Sequence, residues 1–570
     1  MSILEKYTSE PKIAYCSMEI GLRDDIPTFS GGLGILAGDT IKSGADLDLP
    51  LVAVTLIYHK GFFKQDIDEK GRQIELPVNW DPSEILTPIH EKVSVTIERR
   101  TVYIKAWVYF VKSLRGGEVP VIFLDANLPE NCKEDRTLTD FLYGGDDNYR
   151  MKQEVILGIG GVRMLKKLGF QIKKYHMNEG HAAFLTLELL HEFKSKIESV
   201  WDESLIWNFE AVKELCVFTT HTPVGAGHDR FPYDLYRDII GDYFPEKVIR
   251  GLAGEEHLNM TLLAINQSND VNGVAKKHGE VSQNMFPGYK IKAITNGVHS
   301  YTWTSENFHK LYDKYLPGWA NEPEIFVRVG LIPDKEVWNA HLETKKNLVD
   351  YINSISDCNM DYEMLTIGFA RRFATYKRAS LLFSDIDRLE KIASGKIQVV
   401  YAGKAHPKDE GGKKLIEDIF SYIQKLKGKI KIAFINNYNM EIALKIVSGV
   451  DVWLNNPIRP MEASGTSGMK AAHNGVLNFS VLDGWWIEGH IEGDTGWSIG
   501  PEPKEIKPDN NADKRDADDL YNKLENIIIP TYYQNRKKWI NMMKGAIGKN
   551  AYYFNTHRMM RRYVTNAYIR

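Results

Sequence analysis

The chain has 570 residues, of which 43% are hydrophobic and 26% charged, and a formal net charge of −3 at pH 7. That balance is typical of globular proteins and excludes bulk attraction to nucleic acid or to an anionic membrane surface. A chain this long exceeds one hydrophobic core and calls for several domains, or for two large ones with a deep cleft between them.

At the N-terminus, "MSILEKYTSEPKIAYCSMEIG" lacks the apolar core of a signal peptide, and no apolar run of spanning length follows, so the chain reads as cytoplasmic. Next comes "FSGGLGILAGD", from Phe29, where Gly31, Gly32 and Gly34 precede a predicted helix. Glycines there permit close backbone approach to a phosphate or sugar, but the spacing is neither a dinucleotide fingerprint nor a P-loop. Short runs rich in β-branched residues alternate with helix-like segments: "LVAVTLIYH" from Leu51, "VPVIFLDA" from Val119, "LCVFTTH" from Leu215, "MLTIGFA" from Met364, "IQVVYAG" from Ile397 and "IKIAFINN" from Ile430. Such runs predict strands buried on both faces of parallel sheets. Between Trp303 and Asp361 the chain is helix-rich. The reading is α/β, with two doubly wound, Rossmann-like domains and a crossover near residue 300.

Ligands of open parallel sheets sit beyond the carboxyl ends of strands, which directs attention to "TTH", "FARR", "YAGKAH" and "FINNYN". "GFARRFATYKR" places Arg371, Arg372, Lys377 and Arg378 after a strand, a cation cluster suited to a phosphate dianion or to a solvated basic face. His221 follows another strand. "PMEASGTSGMKAAHNG", Pro460 to Gly475, combines Gly465, Thr466, Gly468 and Lys470, which fits either an anion-holding turn or an ordinary glycine loop leading into a helix. Cys16, Cys132, Cys216 and Cys358 lie far apart, which suggests neither a disulfide framework nor a zinc site, and neither an obvious metal-binding HExxH or DxD pair nor a GxSxG nucleophile elbow stands out. "PEPKEIKPDNNADKRDADD", from Pro501, reads as a charged surface loop, and the last segment, "THRMMRRYVTNAYI", as a terminal helix. Taken together, the glycine-rich segments, the cations and Lys470 fall on both halves of the chain and suit a phosphate-bearing cofactor fixed by a lysine.

These residues resemble the α-glucan phosphorylase family, the glycogen, starch and maltodextrin phosphorylases, in its short form. "EASGTSGMKAAHNG" resembles the family's pyridoxal phosphate segment. Its other blocks are matched by "YCSMEIG", "SGGLGILAGD", "YRMKQE", "NMTLLAINQSNDVNGVAKKHGEV", "ITNGVHSYTW", "FARRFATYKR", "YAGKAHP" and "LDGWWIEG". The resemblance implies a GT-B glycosyltransferase architecture. Residues 1–300 would be the N-terminal α/β domain with a glucan-binding face, 301–545 the domain carrying pyridoxal 5′-phosphate, and 546–570 a helix packing back on the first domain. It also implies retaining phosphorolysis of terminal α-1,4-glucosyl units of glycogen or maltodextrin, yielding α-D-glucose 1-phosphate, with the cofactor's phosphate as proton relay.

By position, the resemblance makes Lys470 the lysine that holds pyridoxal phosphate as a Schiff base, with Trp303 and Tyr438 near the cofactor. Gly32 and the Gly465–Thr466 backbone would surround the two phosphates. Arg372 and Lys377 would hold the substrate and cofactor phosphates, and Arg371 stands where many relatives have lysine. His221 and Asn296 match ligands of the glucosyl 6-position; Tyr376, Glu462 and Ser464 match residues bonding the other hydroxyls, and Leu33 belongs to the loop covering the sugar. Two unit charges ~4 Å apart repel by about 4 kcal/mol at an effective dielectric constant of 20, so two neighbouring phosphates need such cations. The expected partners are an α-1,4-glucan and inorganic phosphate, with no metal, no nucleic acid and no membrane; the oligomeric state stays open.

The long family members carry an N-terminal extension with regulatory sites, and this chain begins almost at "YCSME", so control by AMP or phosphorylation is not expected. "MNEGHAA", from Met177, departs from the long forms and leaves the acceptor subsites undefined. The rival readings are a nucleotide-sugar-dependent glucan synthase of the same architecture, a pyridoxal-phosphate enzyme acting on amino acids, and a non-catalytic glucan-binding protein.

Overall fold

A computed structural model describes residues 3–195, 203–503 and 511–569. The chain divides into two compact units, Met1–Phe63 with Pro77–Ile294 and Met559–Arg570, and Lys64–Leu76 with Thr295–Arg558.

The main sheet of the first unit has nine strands: β1 (Lys12–Ser17), β2 (Leu51–Leu56), β3 (Thr87–Ile97), β4 (Arg100–Lys112), β5 (Glu118–Asp125), β6 (Ile172–Asn178), β7 (Cys216–Thr219), β8 (Asp270–Gly273) and β9 (Lys292–Ala293). Their order across the sheet is β9-β8-β7-β6-β1-β2-β5-β4-β3. All neighbours pair in parallel except at β4, which is antiparallel to both β3 and β5. Every residue of β2 is buried, as a central parallel strand covered by helices on both faces requires. The sheet order reverses beside β1, and chemistry in such sheets gathers where the carboxyl ends diverge. Helix α1 (Gly32–Asp46) follows the glycine turn, and a Cβ at Gly38 would lie 1.9 Å from the Gly21 carbonyl oxygen, so the close approach of helix and chain there demands glycine.

The second unit carries a six-stranded, fully parallel sheet: β10 (Leu365–Ala370), β11 (Ile397–Ala402), β12 (Lys431–Ile435), β13 (Val452–Asn455), β14 (Leu477–Val481) and β15 (Gly496–Ile499). Its order, β12-β11-β10-β13-β14-β15, reverses between β10 and β13. That places the switch point at Ala370–Arg371 and Asn455.

All six strands expected from β-branched runs form, and the α/β class stands. The charged stretch from Pro501 is corrected in part: Ala512–Lys523 is a helix, α2, whose Asp516 is buried. Composition concealed this, because Asp516 is neutralised by Arg378 and Arg459 from more than fifty residues away. Residues 504–510 of that stretch lie outside the described residues. Among the described residues, no helix is long and apolar enough to cross a membrane.

Candidate active site

In the second unit, Arg371 leaves the end of β10 and donates from Nη1 to Asn455 Oδ1 at the end of β13, 2.7 Å away, spanning the switch point. Its Nη2 donates to Glu462 Oε2 at 2.7 Å, and Lys377 Nζ binds the same oxygen. Both cations therefore use Oε2, which leaves Oε1 for another donor. Burial alone would push the Glu462 carboxyl up, but Arg371 and Lys377 outweigh it and hold the group at about 2, so Glu462 is ionised at all working pH values. The Lys377 ammonium also lies 4.5 Å from the Tyr376 ring centre. Arg372 is exposed and adds its charge beside His406, which burial and then Arg372 push down. Tyr438 donates to the Ala370 carbonyl at 3.4 Å, on the same crevice.

The loop bearing Glu462 is tied to the turn after β14. Asp483 accepts hydrogen bonds from the backbone N–H of Glu462 and of Gly484, each at 2.9 Å. Gly484 has φ +54°, and a Cβ there would meet the Ser464 carbonyl oxygen at 2.3 Å, so only glycine allows this contact. Burial and the neighbouring Glu462 charge push Asp483 up to about 7. Nothing in the sequence reading singled out Asp483, although it lies in the quoted "LDGWWIEG".

Lys470 sits on the helix Ser467–His473 between β13 and β14. Asn474 Nδ2 donates to the carbonyls of Lys470 and Trp303, at 3.0 and 2.8 Å, and so fixes the two backbones together. The buried Lys470 ammonium then lies 3.5 Å from the Trp303 ring centre. Gly465 is left-handed, with φ +71°, ahead of Thr466, whose carbonyl accepts from Met469 and Lys470. Three buried polar atoms of the expected set, Arg371 Nε, Ser464 Oγ and Asn296 Oδ1, have no hydrogen-bond partner. Buried polar atoms left unpaired cost stability, and these three are open to a ligand's hydrogen bonds.

The other expected residues, Gly32, Leu33 and His221, belong to the first unit. Gly32 opens α1 with no heavy atom within 4 Å of an added Cβ, and Leu33 beside it is half-buried. His221 Nε2 lies 2.7 Å from Asn178 Oδ1, and its backbone N–H donates to Glu179 Oε2. Burial pushes the His221 imidazole down to about 3, so it is neutral, and the amide acceptor assigns the proton to Nε2. Glu179 itself stands at φ +74°. Sequence reasoning missed Glu19, Tyr143, Arg150 and Asp229 of the same unit, which form one contact chain, buried at Glu19 and partly buried beyond it, described below.

Doubly wound sheets, mostly parallel in the first unit and fully parallel in the second, make this an α/β protein of the glycosyltransferase type. The family model described as carbohydrate phosphorylase matches residues 230–565. The chain is 42% identical to a maltodextrin phosphorylase of Thermococcus litoralis, covering 98% of this chain and 70% of that protein. It is 34% identical to a glycogen phosphorylase of Aquifex aeolicus, over 98% and 86% of the two chains, and 36% identical to one of Mycobacterium tuberculosis, over 98% and 70%. The chain belongs to the carbohydrate phosphorylase family, and it is an enzyme of glycosyl transfer.

Proposed function

We propose that this enzyme cleaves terminal α-1,4-glucosyl units of a maltodextrin or glycogen with inorganic phosphate, releasing α-D-glucose 1-phosphate, and that pyridoxal 5′-phosphate is its cofactor. The observation that carries this reading is the buried Lys470 amine, held over Trp303 in the same unit as the Arg371–Lys377–Glu462 cluster. A lysine amine is the group an aldehyde cofactor requires, and the unpaired Arg371 Nε and Ser464 Oγ fit a phosphate and hydroxyl-rich ligand. Lys470, Trp303, Tyr438 and the Gly465–Thr466 backbone would hold the cofactor. When bound, it supplies a phosphate group that exchanges a proton with the substrate phosphate.

In this reading Arg372 and Lys377 hold the substrate phosphate, and Arg371 is set by Asn455. Glu462 carries one negative charge against the positive charges of Arg371 and Lys377, which leaves the cluster cationic enough for an anion. Its Oε1 accepts a glucosyl hydroxyl, together with Ser464 and Tyr376, while neutral His221 and Asn296 bond the 6-position. Leu33 covers the sugar. During the reaction the bond between C1 and the glycosidic oxygen breaks, a bond between C1 and a phosphate oxygen forms, and the phosphate proton passes to the leaving oxygen. The α configuration is kept. Glu462 is clasped by two cations and is a binding carboxylate rather than a nucleophile; a glycosyl adduct trapped on Glu462 would overturn that role.

The test is glucose 1-phosphate release from maltoheptaose and phosphate by protein as purified, protein stripped of pyridoxal phosphate, and Lys470→Ala. The expected result is phosphate-dependent product that disappears on stripping and returns on adding cofactor, while Lys470→Ala loses both the product and the cofactor absorbance. Glucan extension from a nucleotide sugar, with no phosphorolysis by cofactor-loaded protein, would support the synthase reading instead.

A further inference from the structure

Glu19 follows β1 at the point where the first unit's sheet reverses, and its carboxylate is buried. Oε2 accepts from the backbone N–H of Ser30 at 2.6 Å, from Ser30 Oγ at 3.2 Å and from the N–H of Gly31 at 3.2 Å. A Cβ at Gly34 would lie 2.7 Å from the same oxygen, so the turn folds directly around the carboxylate. Backbone bonds fasten the same segments: Ile20 N–H to Thr28 O at 2.9 Å and Gly21 N–H to Gly34 O at 2.7 Å. By taking the amides of Ser30 and Gly31, Glu19 fixes where α1 begins, and hence where the next N–H groups, which no helix bond engages, point.

The other carboxylate oxygen, Oε1, accepts from Tyr143 OH at 2.9 Å. Tyr143 is held at φ +56°, a conformation that is strained for a non-glycine residue and persists only under tertiary constraint. Its ring lies 4.5 Å from the Arg150 guanidinium carbon. Arg150 donates through Nη2 to Asp229 Oδ2 at 3.0 Å and through Nε to Glu154 Oε1 at 3.2 Å, and His181 Nε2 lies 3.4 Å from Asp229 Oδ2. Asp229 ends the loop that begins at His221. One partly buried chain of contacts thus runs from the glycine turn to the loop after β7.

We infer that Glu19 is a positioning residue for the glycine turn, and that the Glu19–Tyr143–Arg150–Asp229 chain locks that turn and the His221 loop into one rigid piece. Its catalytic consequence rests on the phosphorolysis proposed above, in which Gly32, Leu33 and His221 face the substrate. The chain acts through geometry, since Glu19 spends both oxygens on donors of the protein.

The experiment compares Glu19→Ala, Glu19→Gln, Tyr143→Phe and the Glu19→Ala/Tyr143→Phe double variant, each loaded with pyridoxal phosphate. It reads kcat, KM for phosphate and for maltoheptaose, and amide hydrogen exchange over residues 28–34 and 221–229. Glu19→Ala is expected to lower kcat about 100-fold, the cost of a displacement of order 1 Å in a reacting geometry, with KM for maltoheptaose nearly unchanged and faster exchange in both segments. Glu19→Gln keeps an acceptor for Ser30 and Gly31 and a donor toward the Tyr143 oxygen, and should recover to within about 3-fold of wild type. Tyr143→Phe should speed exchange in both segments, and adding it to Glu19→Ala should cost nothing more. Wild-type kcat in folded Glu19→Ala, equal losses for Ala and Gln, or exchange in Tyr143→Phe unchanged at residues 28–34 would each overturn the inference. If Glu19→Ala does not fold, the Glu19→Gln and Tyr143→Phe results decide. A wild-type protein without phosphorolysis would refute the proposed reaction, while the exchange pattern would still test the chain.

Discussion

Glu462 and Asp483 are carboxylates of one neighbourhood with opposite environments. Glu462 is paired with two cations, whereas Asp483 receives two backbone N–H groups and faces the Glu462 charge, with only a weaker opposing pull from Arg459. The folded-state value of Asp483, about 7, lies above the ordinary value near 3.9 that it takes when unfolded. A raised value means that the folded protein binds the proton more tightly. The stability contributed is fully present below about pH 4 and is lost as pH rises through 7. Asp483→Asn cannot titrate, so the melting temperature of wild type relative to this variant should fall steadily between pH 4 and pH 8 in a thermal-shift series; parallel curves would remove Asp483 from the account. His221 stays neutral over the same range. The pH profile of kcat should therefore be insensitive to His221→Gln in shape, although its height falls.

Helix α2 acts on the site through Asp516. That carboxylate accepts from Arg378 Nη2 at 2.7 Å and from Arg459 Nη1 at 2.9 Å; Asp516 and Arg378 are buried and Arg459 is partly so. Arg378 in turn donates to the carbonyls of Asn456 and Pro457, so the helix braces the segment that leads from β13 to Glu462. Removing one member of a buried ion cluster leaves the rest uncompensated, and Asp516→Ala should cost about 3–5 kcal/mol in urea unfolding. Asp513 pairs with the same arginine, but its side chain is 71% exposed, and Asp513→Ala should cost less than about 1 kcal/mol. Equal costs would show that α2 is not a brace. The strands were legible because continuous β-branched runs have few other uses. By contrast, β13 and β14 escaped notice: they are four and five residues long and flank the chemistry-bearing segment, which drew the eye to its turn.

At the scale of the whole chain, the first unit is completed by the last residues. Tyr568 OH lies 2.6 Å from His176 Nδ1, and Asn272 Nδ2 donates to Tyr563 OH at 3.0 Å, all of them buried. Met559, Met560, Tyr563 and Tyr568 share an apolar cluster with Ile13, Ile41 and Val217 from strands and helix of the same unit. Ending the chain at Arg558 would uncover that cluster and leave His176 and Asn272 short of partners. The truncated protein should lose protection in hydrogen exchange across β1, β6 and β7. Unchanged protection there would mean that the C-terminal segment only decorates the unit.

The sequence by itself determined the α/β class, six strands, the family, and the residue types at the candidate site, because periodicity, composition and ordered motifs are properties of neighbouring residues. Tertiary structure alone decided which groups meet. Arg371 finds Asn455 and Glu462, Asp483 finds the Glu462 amide, and Glu19 reaches Asp229 through Tyr143 and Arg150. Charge state followed from those meetings: the same side-chain chemistry gives a carboxylate at about 2 beside two cations and at about 7 beside another anion. The reason is that burial and Coulomb interactions act over distances of a few ångströms in space, which linear spacing does not encode.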